Sequence, residues 1–407
     1  MYCRSICPAR SAKDEHVRYY ASAAAAEAAG FRPCLRCRPE ASPGTPAWLG
    51  TSALVSRALR LIDEGALDED NLDRLAERLG VTARHVRRLF LRHLGATPLD
   101  VAVTRRLHFA KKLVDETSLP FEQVAYAAGF GSVRRFNSEI RRVYSRTPTQ
   151  LRQLAGKRTG EDGERYQFRL AYRPPYDWDG VIETLRAHAI PGIEHVHHAS
   201  YRRAIAIGAH DGEIEVRPDT NHALQLEIRF GDPKQLLAIV ERVRRMFDLG
   251  ADPAAIGEQL GGDPILGPLL ARRPGVRVPG AWDALELATL ELAGRRATER
   301  IIELSGARPG LFPTREQLAA APLERSGITP ARAKLIAGFD PAALDALPAT
   351  TAQYLAMRAL GEPDAFPAGD PALRRATGDR TPRELERRSE AWRPWRAYAA
   401  MLLLSWP

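Results

Sequence analysis

Four cysteines lie within the first 37 residues of this 407-residue chain, and no cysteine follows Cys37. They form two close pairs, Cys3 with Cys7 and Cys34 with Cys37. Two such pairs joined by a linker suit a tetrahedral zinc ion, because each pair supplies one edge of the tetrahedron. The alternative, a pair of disulfides, requires an oxidising compartment. No apolar signal segment precedes Cys3, so we expect a zinc site in a cytoplasmic chain.

The composition limits the rest of the fold. With 44% hydrophobic and 27% charged residues, the chain can bury the cores of about two to four domains. It contains no apolar run long enough to span a bilayer, which again favours the cytoplasm or nucleoid. The net charge of +9 favours nucleic acid as a partner, although a GC-rich genome would also raise the arginine content.

An internal repeat, offset by 49 to 50 residues, follows the cysteine segment. Each copy predicts a short helix, a turn at a glycine and a second amphipathic helix, which is the plan of a helix-turn-helix unit. The repeated motifs are Leu75-Ala76-x3-Gly80 and Val124-Ala125-x3-Gly129, followed by Thr97-Pro98 and Thr147-Pro148.

The second helix of each copy carries a basic face. Such a face is often merely solvated, but its recurrence at matched positions favours binding in the major groove of DNA. A connecting helix over about 99–116 would let the two helices enter successive groove segments. The candidate DNA-binding residues are Arg84, His85, Arg87 and Arg88 in the first copy and Arg134, Arg135 and Asn137 in the second.

The remainder of the chain divides into two segments. Residues 166–250 contain short apolar stretches typical of strands and two helical patterns, which predict an antiparallel sheet with packed helices. The C-terminal segment predicts a helix over 351–358, followed by a Pro/Gly turn that presents the carboxylate of Asp370. From the residues alone, this carboxylate is a weak catalytic candidate.

The cysteine segment closely resembles the methyl-accepting module of bacterial Ada proteins. The resemblance implies that four thiolates bind zinc, those of Cys3, Cys7, Cys34 and Cys37. It also implies that Cys3 accepts a methyl group from a methylphosphotriester in DNA. Only Met1 and Tyr2 precede Cys3, so the implied module, residues 1–42, is shortened at its N-terminus. The matching motifs are Cys3-Arg4-x-x-Cys7-Pro8-Ala9-Arg10, Glu15-x-Val17-Arg18-Tyr19-Tyr20 and Gly30-Phe31-Arg32-Pro33-Cys34-Leu35-Arg36-Cys37-Arg38-Pro39-Glu40.

Residues 48–155 resemble the AraC-type pair of helix-turn-helix units. The second unit carries Gly129-Phe130-x-Ser132, Phe136 and Thr147-Pro148, although Ser145 and Arg146 stand where the family usually has glycine before the Thr-Pro. The resemblance implies a transcription activator that binds a promoter or operator site on double-stranded DNA. RNA polymerase would be its partner during activation.

From about residue 166 onward the chain resembles the AlkA-type DNA-3-methyladenine glycosylases. This implies an accessory α+β domain at 166–250 and a helix-hairpin-helix glycosylase domain at 251–407, with Asp370 as the catalytic carboxylate and Tyr354 in the aromatic base pocket. No lysine follows Lys334 to form a Schiff base, which favours a monofunctional glycosylase. The matching motifs are Val278-Pro279-Gly280-Ala281-Trp282, Leu311-Phe312-Pro313-Thr314, 351–358 and 364–370.

The glycosylase resemblance is incomplete at the hairpin. Only Ala349 and Thr350 stand between Leu347-Pro348 and Thr351, where the family has a Gly-apolar-Gly-x-Trp turn. A turn without glycine approaches a DNA phosphate less closely. One alternative is therefore a methyl sensor and transcription regulator whose C-terminal half binds DNA without catalysis. Since no cysteine follows Cys37, we do not expect a second, guanine-O6 methyltransferase site.

These expectations combine into a multidomain, mainly α fold. It would comprise a small zinc module, an all-α double helix-turn-helix, an α+β AlkA N-terminal-like domain and an all-α helix-hairpin-helix domain. The expected function is a response to DNA alkylation damage, in which the zinc-dependent methyl acceptor and the transcription regulator are fused to the glycosylase.

Overall fold

A computed structural model describes residues 1–3, 13–34, 53–63, 65–68, 71–155 and 165–404. The chain separates into two compact units. Unit 1 comprises Met1–Tyr172 and Gln225–Glu241, and unit 2 comprises Arg173–Leu224 and Arg242–Pro407. Cys7 and Cys37 lie outside the described residues. Within those residues, no helix combines the length and apolar character needed to cross a membrane.

Unit 1 is mainly helical. Its strands are β1 (Arg165–Ala171) and most of β5 (Ala223–Phe230), which are neighbours. Its described helices are α1 Ala23–Ala28, α2 Ala53–Asp63, α3 Leu72–Arg78, α4 Ala83–Leu94, α5 Pro98–Glu116, α6 Phe121–Ala127, α7 Val133–Tyr144 and α8 Pro148–Ala155, with short 3-10 helices at Asp14–His16 and Pro233–Gln235.

The repeat predicted from the sequence is confirmed helix by helix. Helices α3 and α4 of the first copy correspond to α6 and α7 of the second, and α5 and α8 each begin at the proline of a Thr-Pro pair. The second helix of each copy is capped in the same way. The side chain of Thr82 accepts the N–H of His85 at 3.3 Å, and that of Ser132 accepts the N–H of Arg135 at 3.2 Å.

The helix ends explain how the second copy tolerates its missing glycine. The C-cap residue after α4 is Gly95 with φ 65°, and the one after α7 is Ser145 with φ 54°. Both residues are therefore left-handed, a conformation that costs a residue with a Cβ on the order of 1 kcal/mol. The N–H of Ser145 donates to the carbonyl of Arg141 at 3.0 Å, so the helix still closes.

Unit 2 contains three antiparallel strands. They are β2 (Glu194–Val196), β3 (Tyr201–Ile207) and β4 (His210–Asp219), and β3 pairs with both of the others. Tyr201 lies opposite Val216, and Ile207 lies opposite His210. Alternate residues of β3 are buried, as expected for a strand with one face on a core.

The rest of unit 2 is helical. Helices α13, α16 and α17 contribute to an apolar core that includes Leu287, Ile336 and Leu355. The described helices are α9 Trp178–Ala187, α11 Pro253–Leu260, α12 Leu266–Arg272, α13 Ala284–Ala293, α14 Arg295–Leu304, α15 Arg315–Ala320, α16 Pro330–Ala337, α17 Ala349–Arg358, α18 Pro371–Thr377, α19 Pro382–Ser389 and α20 Arg396–Leu404, while α10 Leu236–Met246 has residues in both units.

A buried ion pair joins the sheet of unit 2 to helix α13. Arg203 of β3 is 2% exposed, and its Nη2 donates to both carboxylate oxygens of Glu286 at 2.8 and 3.0 Å. The guanidinium also lies over the ring of Trp282, 5.0 Å from the centroid. Glu286 is 8% exposed, so both charged groups are largely shielded from solvent.

Replacing Glu286 by Leu is expected to lower the free energy of unfolding by up to about 3–5 kcal/mol. The buried charge of Arg203 loses its hydrogen-bonded carboxylate and keeps only Glu194, whose Oε1 lies 3.9 Å from Nη1. The matched double variant, Arg203→Met with Glu286→Leu, should lose less, since it removes both charges. Urea-induced unfolding followed by tryptophan fluorescence measures both losses. An equal or larger loss in the double variant would contradict this role for the pair.

Candidate functional site

Backbone pairing brings one cysteine of each predicted pair into the same small structure. The N–H of Tyr2 donates to the carbonyl of Arg32 at 2.8 Å, and the N–H of Cys34 donates to the carbonyl of Tyr2 at 3.0 Å. Tyr2 and Pro33 form a parallel bridge. The segments that carry Cys3 and Cys34 therefore lie side by side, with the side chain of Cys3 exposed and that of Cys34 buried.

This arrangement fits the predicted zinc site as far as the described residues reach. Cysteine sulfur is the ligand that structural zinc sites prefer, and the adjacent segments supply Cys3 and Cys34 from opposite ends of the module. The other two predicted ligands, Cys7 and Cys37, lie outside the described residues. Within the described part of the chain, no group of three or more metal-ligating side chains occurs.

The side chain of Tyr2 enters a polar cluster that we call the Glu27 cluster, comprising Tyr2, Glu27, Thr104 and His108. The Tyr2 hydroxyl donates to Glu27 Oε1 at 2.8 Å and lies 2.9 Å from His108 Nε2. Thr104 Oγ1 donates to Glu27 Oε2 at 2.8 Å, and His108 Nε2 lies 3.0 Å from Glu27 Oε1. The cluster ties the cysteine module to α5, the helix that connects the two helix-turn-helix copies.

The electrostatics of Glu27 follow from these contacts. Burial alone would raise the pKa of Glu27, but the hydrogen bonds from His108, Tyr2 and Thr104 and the charge of His108 lower it below its usual value. The carboxyl group therefore stays ionised while its side chain is only 6% exposed. The cysteine module also contacts α4, because Ser22 Oγ donates to the carbonyl of Leu94, the last residue of that helix, at 2.7 Å.

The predicted DNA-binding side chains form matching faces of α4 and α7. All five arginines are exposed, and His85 and Asn137 are half-buried. The opposite faces of the two helices are buried around Phe90 and Phe136. The exposed arginines are Arg84, Arg87, Arg88, Arg134 and Arg135.

The turn before each of these helices contains a glycine that the fold requires. Gly80 and Gly129 have φ values of +70° and +80°. A Cβ on Gly129 would also lie 3.1 Å from Cγ of Asp68 and 3.3 Å from Cδ of Arg106. Both positions therefore favour glycine on conformational grounds, and the second also on steric grounds.

In unit 2, Asp370 is held by both of its carboxylate oxygens. It is the N-cap of α18, and its Oδ1 accepts the N–H groups of Ala372 at 2.6 Å and Leu373 at 3.4 Å. Its Oδ2 accepts the hydroxyl of Tyr354 at 2.6 Å. The sequence predicted a turn at Asp370 after the helix over 351–358, but it predicted neither the cap on α18 nor the bond to Tyr354.

The half-buried residues around this carboxylate include a second acidic group that sequence reasoning missed. Burial raises the pKa of Glu291 on α13, as does the negative charge of Asp370, while Arg358 acts in the opposite direction. Burial, and next the hydrogen bond to Asp370, raise the pKa of Tyr354 far above its usual range. Glu291 lies within an apolar helical pattern, so no local feature of the sequence predicts its electrostatic interaction with Asp370.

A helix still begins directly after the shortened turn that precedes α17. Helix α17 begins at Ala349, and the preceding Pro348 makes no side-chain capping bond to its first turn. Pro348 and Ala349 are exposed. The first N–H groups of a helix attract phosphate. The missing glycines therefore change how closely a DNA phosphate can approach α17, but the N–H groups at the beginning of the helix are still present.

Three regions of the chain match known families, in the order predicted. Residues 1–40 match the family described as the metal binding domain of Ada. Residues 75–154 match a helix-turn-helix domain, and residues 167–283 match the AlkA N-terminal domain.

Individual proteins extend these matches. A probable bifunctional transcriptional activator/DNA repair enzyme AlkA of Mycobacterium tuberculosis is 37% identical over 449 residues, covering 99% of this chain and 90% of that protein. DNA-3-methyladenine glycosylase 2 of Escherichia coli is 29% identical over 274 residues, covering 58% of this chain and 95% of that protein.

A solved structure supports the fold of the C-terminal part. The 3-methyladenine DNA-glycosylase from Archaeoglobus fulgidus matches with a TM-score of 0.50 and 18% identity, covering 58% of this chain and 97% of that chain. Identity this low bears on the fold alone. The whole-length similarity to the Mycobacterium tuberculosis protein, together with the three family matches, shows that the chain belongs to the family of bifunctional transcriptional activator/DNA repair enzymes named AlkA.

Proposed function

We propose that this protein senses and repairs alkylated DNA with three parts of one chain. Cys3 accepts a methyl group from a methylphosphotriester, the helix-turn-helix units bind a promoter or operator, and the C-terminal part releases methylated purines. The observation that carries the glycosylase assignment is the Asp370 carboxylate, fixed at the beginning of α18 and by Tyr354. Similarity to a protein named DNA-3-methyladenine glycosylase 2 supports the substrate class.

The chemistry of base release suits a single carboxylate. A purine methylated on a ring nitrogen is cationic, so its bond to the sugar C1′ breaks with the electron pair moving onto the base. The sugar then carries oxocarbenium-like charge, which the carboxylate of Asp370 stabilises until water adds to C1′ and releases a proton. The ring of Tyr354 offers an aromatic face to the flipped, cationic base. This is a monofunctional hydrolysis of the N-glycosidic bond.

The direct test is release of free base from alkylated duplex DNA by the full-length chain. Chromatography of the released bases would identify 3-methyladenine and 7-methylguanine, and alkali-labile abasic sites should appear in equal number. Tight binding to the DNA without base release would instead favour a regulator whose C-terminal half only binds DNA. The shortened turn before α17 is the feature that favours this second function.

The methyl-transfer step uses the exposed thiol of Cys3. Its sulfur attacks the methyl carbon of the phosphotriester, the carbon–oxygen bond breaks, and the electron pair stays on the phosphate oxygen. The products are S-methylcysteine and an ordinary phosphodiester, so each protein molecule reacts once. Zinc bound by Cys3, Cys7, Cys34 and Cys37 would keep the thiols ionised at neutral pH.

The same step supports a switch in DNA affinity. Four thiolates around a divalent zinc ion have a formal charge of about −2, and methylation of one sulfur changes it to about −1. Repulsion from DNA phosphates falls accordingly. The Glu27 cluster links this module to α5, so the change would arise close to the operator-binding helices. As an activator, the DNA-bound protein would have RNA polymerase as its partner in the cytoplasm.

Replacing Arg134 by Ala is expected to weaken operator binding by about 1–3 kcal/mol and to relax base preference at one position. Arg134 is exposed at the beginning of α7, where residues of a recognition helix reach base edges. Duplexes selected by the wild-type protein from a random pool would supply the operator, and titration against mutated duplexes would measure the change.

Arg142 provides a matched control on the same helix. Its Nε and Nη2 donate to Glu139 at 2.9 and 2.6 Å, so its charge is already paired. Arg142→Ala should therefore change operator affinity less than Arg134→Ala. A larger effect at Arg142 would show that the DNA-reading face of α7 has been assigned wrongly.

A further inference from the structure

The carboxylate of Asp370 has a fixed orientation that two separate elements impose. Backbone N–H groups at the beginning of α18 hold Oδ1, with Ala372 at 2.6 Å. The Tyr354 hydroxyl of α17 holds Oδ2, also at 2.6 Å. A bond of this length is typical of a hydroxyl that donates to an ionised oxygen. Rotation about the side-chain bonds of Asp370 would break at least one of these contacts.

Helix α17 supports the Asp370 loop at three positions on one face. Gln353 Oε1 accepts the N–H of Phe366 at 2.9 Å. Thr350 lies so close to Gly369 that a Cβ there would fall 2.2 Å from its Oγ1. Gln353 and Tyr354 follow Thr350 by three and four residues, about one helical turn, so both neighbour Thr350 on the same side of the helix. Contacts from one face of α17 therefore hold the loop that carries Asp370 in place.

The Tyr354 hydroxyl is a dependable donor in this setting. Burial is the main reason that its pKa lies far above the usual range, and the contact with Asp370 acts in the same direction. The hydroxyl consequently keeps its proton at neutral pH and can donate it to Asp370. Its hydrogen bond holds Oδ2 of Asp370 in one orientation, as required of a carboxylate that stabilises positive charge on the sugar.

We propose that Tyr354 is a positioning residue for Asp370, acting through its hydroxyl group in addition to offering its ring to the base. The inference rests on the proposed glycosylase function and deepens it. The ring and the hydroxyl then have separable effects. The ring contributes to the affinity for the flipped base, whereas the hydroxyl contributes to the rate of bond cleavage by holding the carboxylate towards the developing charge.

The substitution Tyr354→Phe separates these effects, because it keeps the ring and removes only the hydroxyl. Single-turnover base release from methylated duplex DNA should slow by about 10- to 100-fold, the range expected for a lost hydrogen bond to a charged group. The half-saturating protein concentration should stay within about twofold, since uniform binding is retained. Tyr354→Leu should lower the cleavage rate and also raise the half-saturating protein concentration.

Two controls test whether the slower cleavage in Tyr354→Phe arises through Asp370. Tyr176→Phe removes a hydroxyl that donates to the carbonyl of Phe247 in the same unit, and it should leave the cleavage rate unchanged. Combining Tyr354→Phe with Asp370→Asn should cost no more than Asp370→Asn alone, because a residue that acts through Asp370 has no effect once its carboxylate is gone.

The outcomes distinguish this inference from the function on which it rests. If the wild-type protein releases no base, the glycosylase function fails and the positioning role fails with it. If the wild-type protein is active and Tyr354→Phe cleaves at the wild-type rate, only the positioning role is overturned. It is also overturned if Tyr354→Phe weakens affinity and rate together, as Tyr354→Leu does, or if the double variant loses activity additively.

Discussion

Asp370→Asn is expected to slow release of methylated bases by about 10²- to 10³-fold or more, because it removes the charge that stabilises the oxocarbenium-like transition state. The substitution keeps the helix cap, although it places an amide N–H group opposite the Tyr354 hydroxyl. Asp370 caps α18 through Oδ1, and asparagine caps helices about as well as aspartate. The carbonyl oxygen of the amide can still accept the backbone N–H of Ala372. The fold should therefore persist while the chemistry is lost.

Single-turnover assays on methylated duplex DNA measure this loss, and thermal unfolding checks that the helix cap survives. Asp340→Asn is a matched control, since Asp340 is exposed in the same unit and caps a turn through the N–H of Ala342 at 2.9 Å. It should leave base release unchanged. Full activity in Asp370→Asn would remove the carboxylate from the mechanism, and a comparable loss in Asp340→Asn would point to a general charge effect.

Cys3→Ser is expected to reduce methyl transfer to the level of DNA without protein. A serine hydroxyl is a weak nucleophile at neutral pH, whereas a zinc-bound thiol is ionised. Cys3 is exposed and Cys34 is buried, so of these two thiols only Cys3 is presented to a DNA backbone. Incubation with methylphosphotriester DNA, followed by peptide mass spectrometry, should find a single methyl group on the wild-type peptide that contains Cys3.

Two further measurements define this prediction. The reaction should stop after one methyl group per protein molecule, because the thioether has no route back to the thiol. Cys3→Ser should also keep the base-release activity of the C-terminal part, which uses Asp370. Methyl found on Cys34 instead of Cys3 would reverse the assignment of roles within the module.

Features with a local sequence signal were predicted well. The helix-turn-helix copies were predicted from repeated motifs, glycine turns and amphipathic periodicity, all of which act over a few residues. The connecting helix expected over 99–116 is α5, Pro98–Glu116. In the α+β segment the short apolar stretches indicated strands, but the three residues of β2, Glu194–Val196, carry too little pattern to be recognised.

The contacts that create the sites were not predictable in the same way. Glu27 meets His108 across 81 residues and Arg203 meets Glu286 across 83 residues, distances at which single-sequence patterns carry no pairing information. Tyr354 and Asp370 are only 16 residues apart, yet their bond depends on how the loop before α18 folds onto α17. Residue types suggested which side chains carry the chemistry, while tertiary packing decided which of them touch.

The Glu27 cluster has a consequence for how such proteins can be recombined. Its carboxylate comes from the cysteine module, but Thr104 and His108, which stabilise it, come from α5. A chimera that joins this module to a foreign regulator would bury Glu27 against a helix without matching donors, at a cost of about 1–3 kcal/mol for each unmet polar group. The cysteine module and α5 are therefore expected to be inherited together, without a crossover between them.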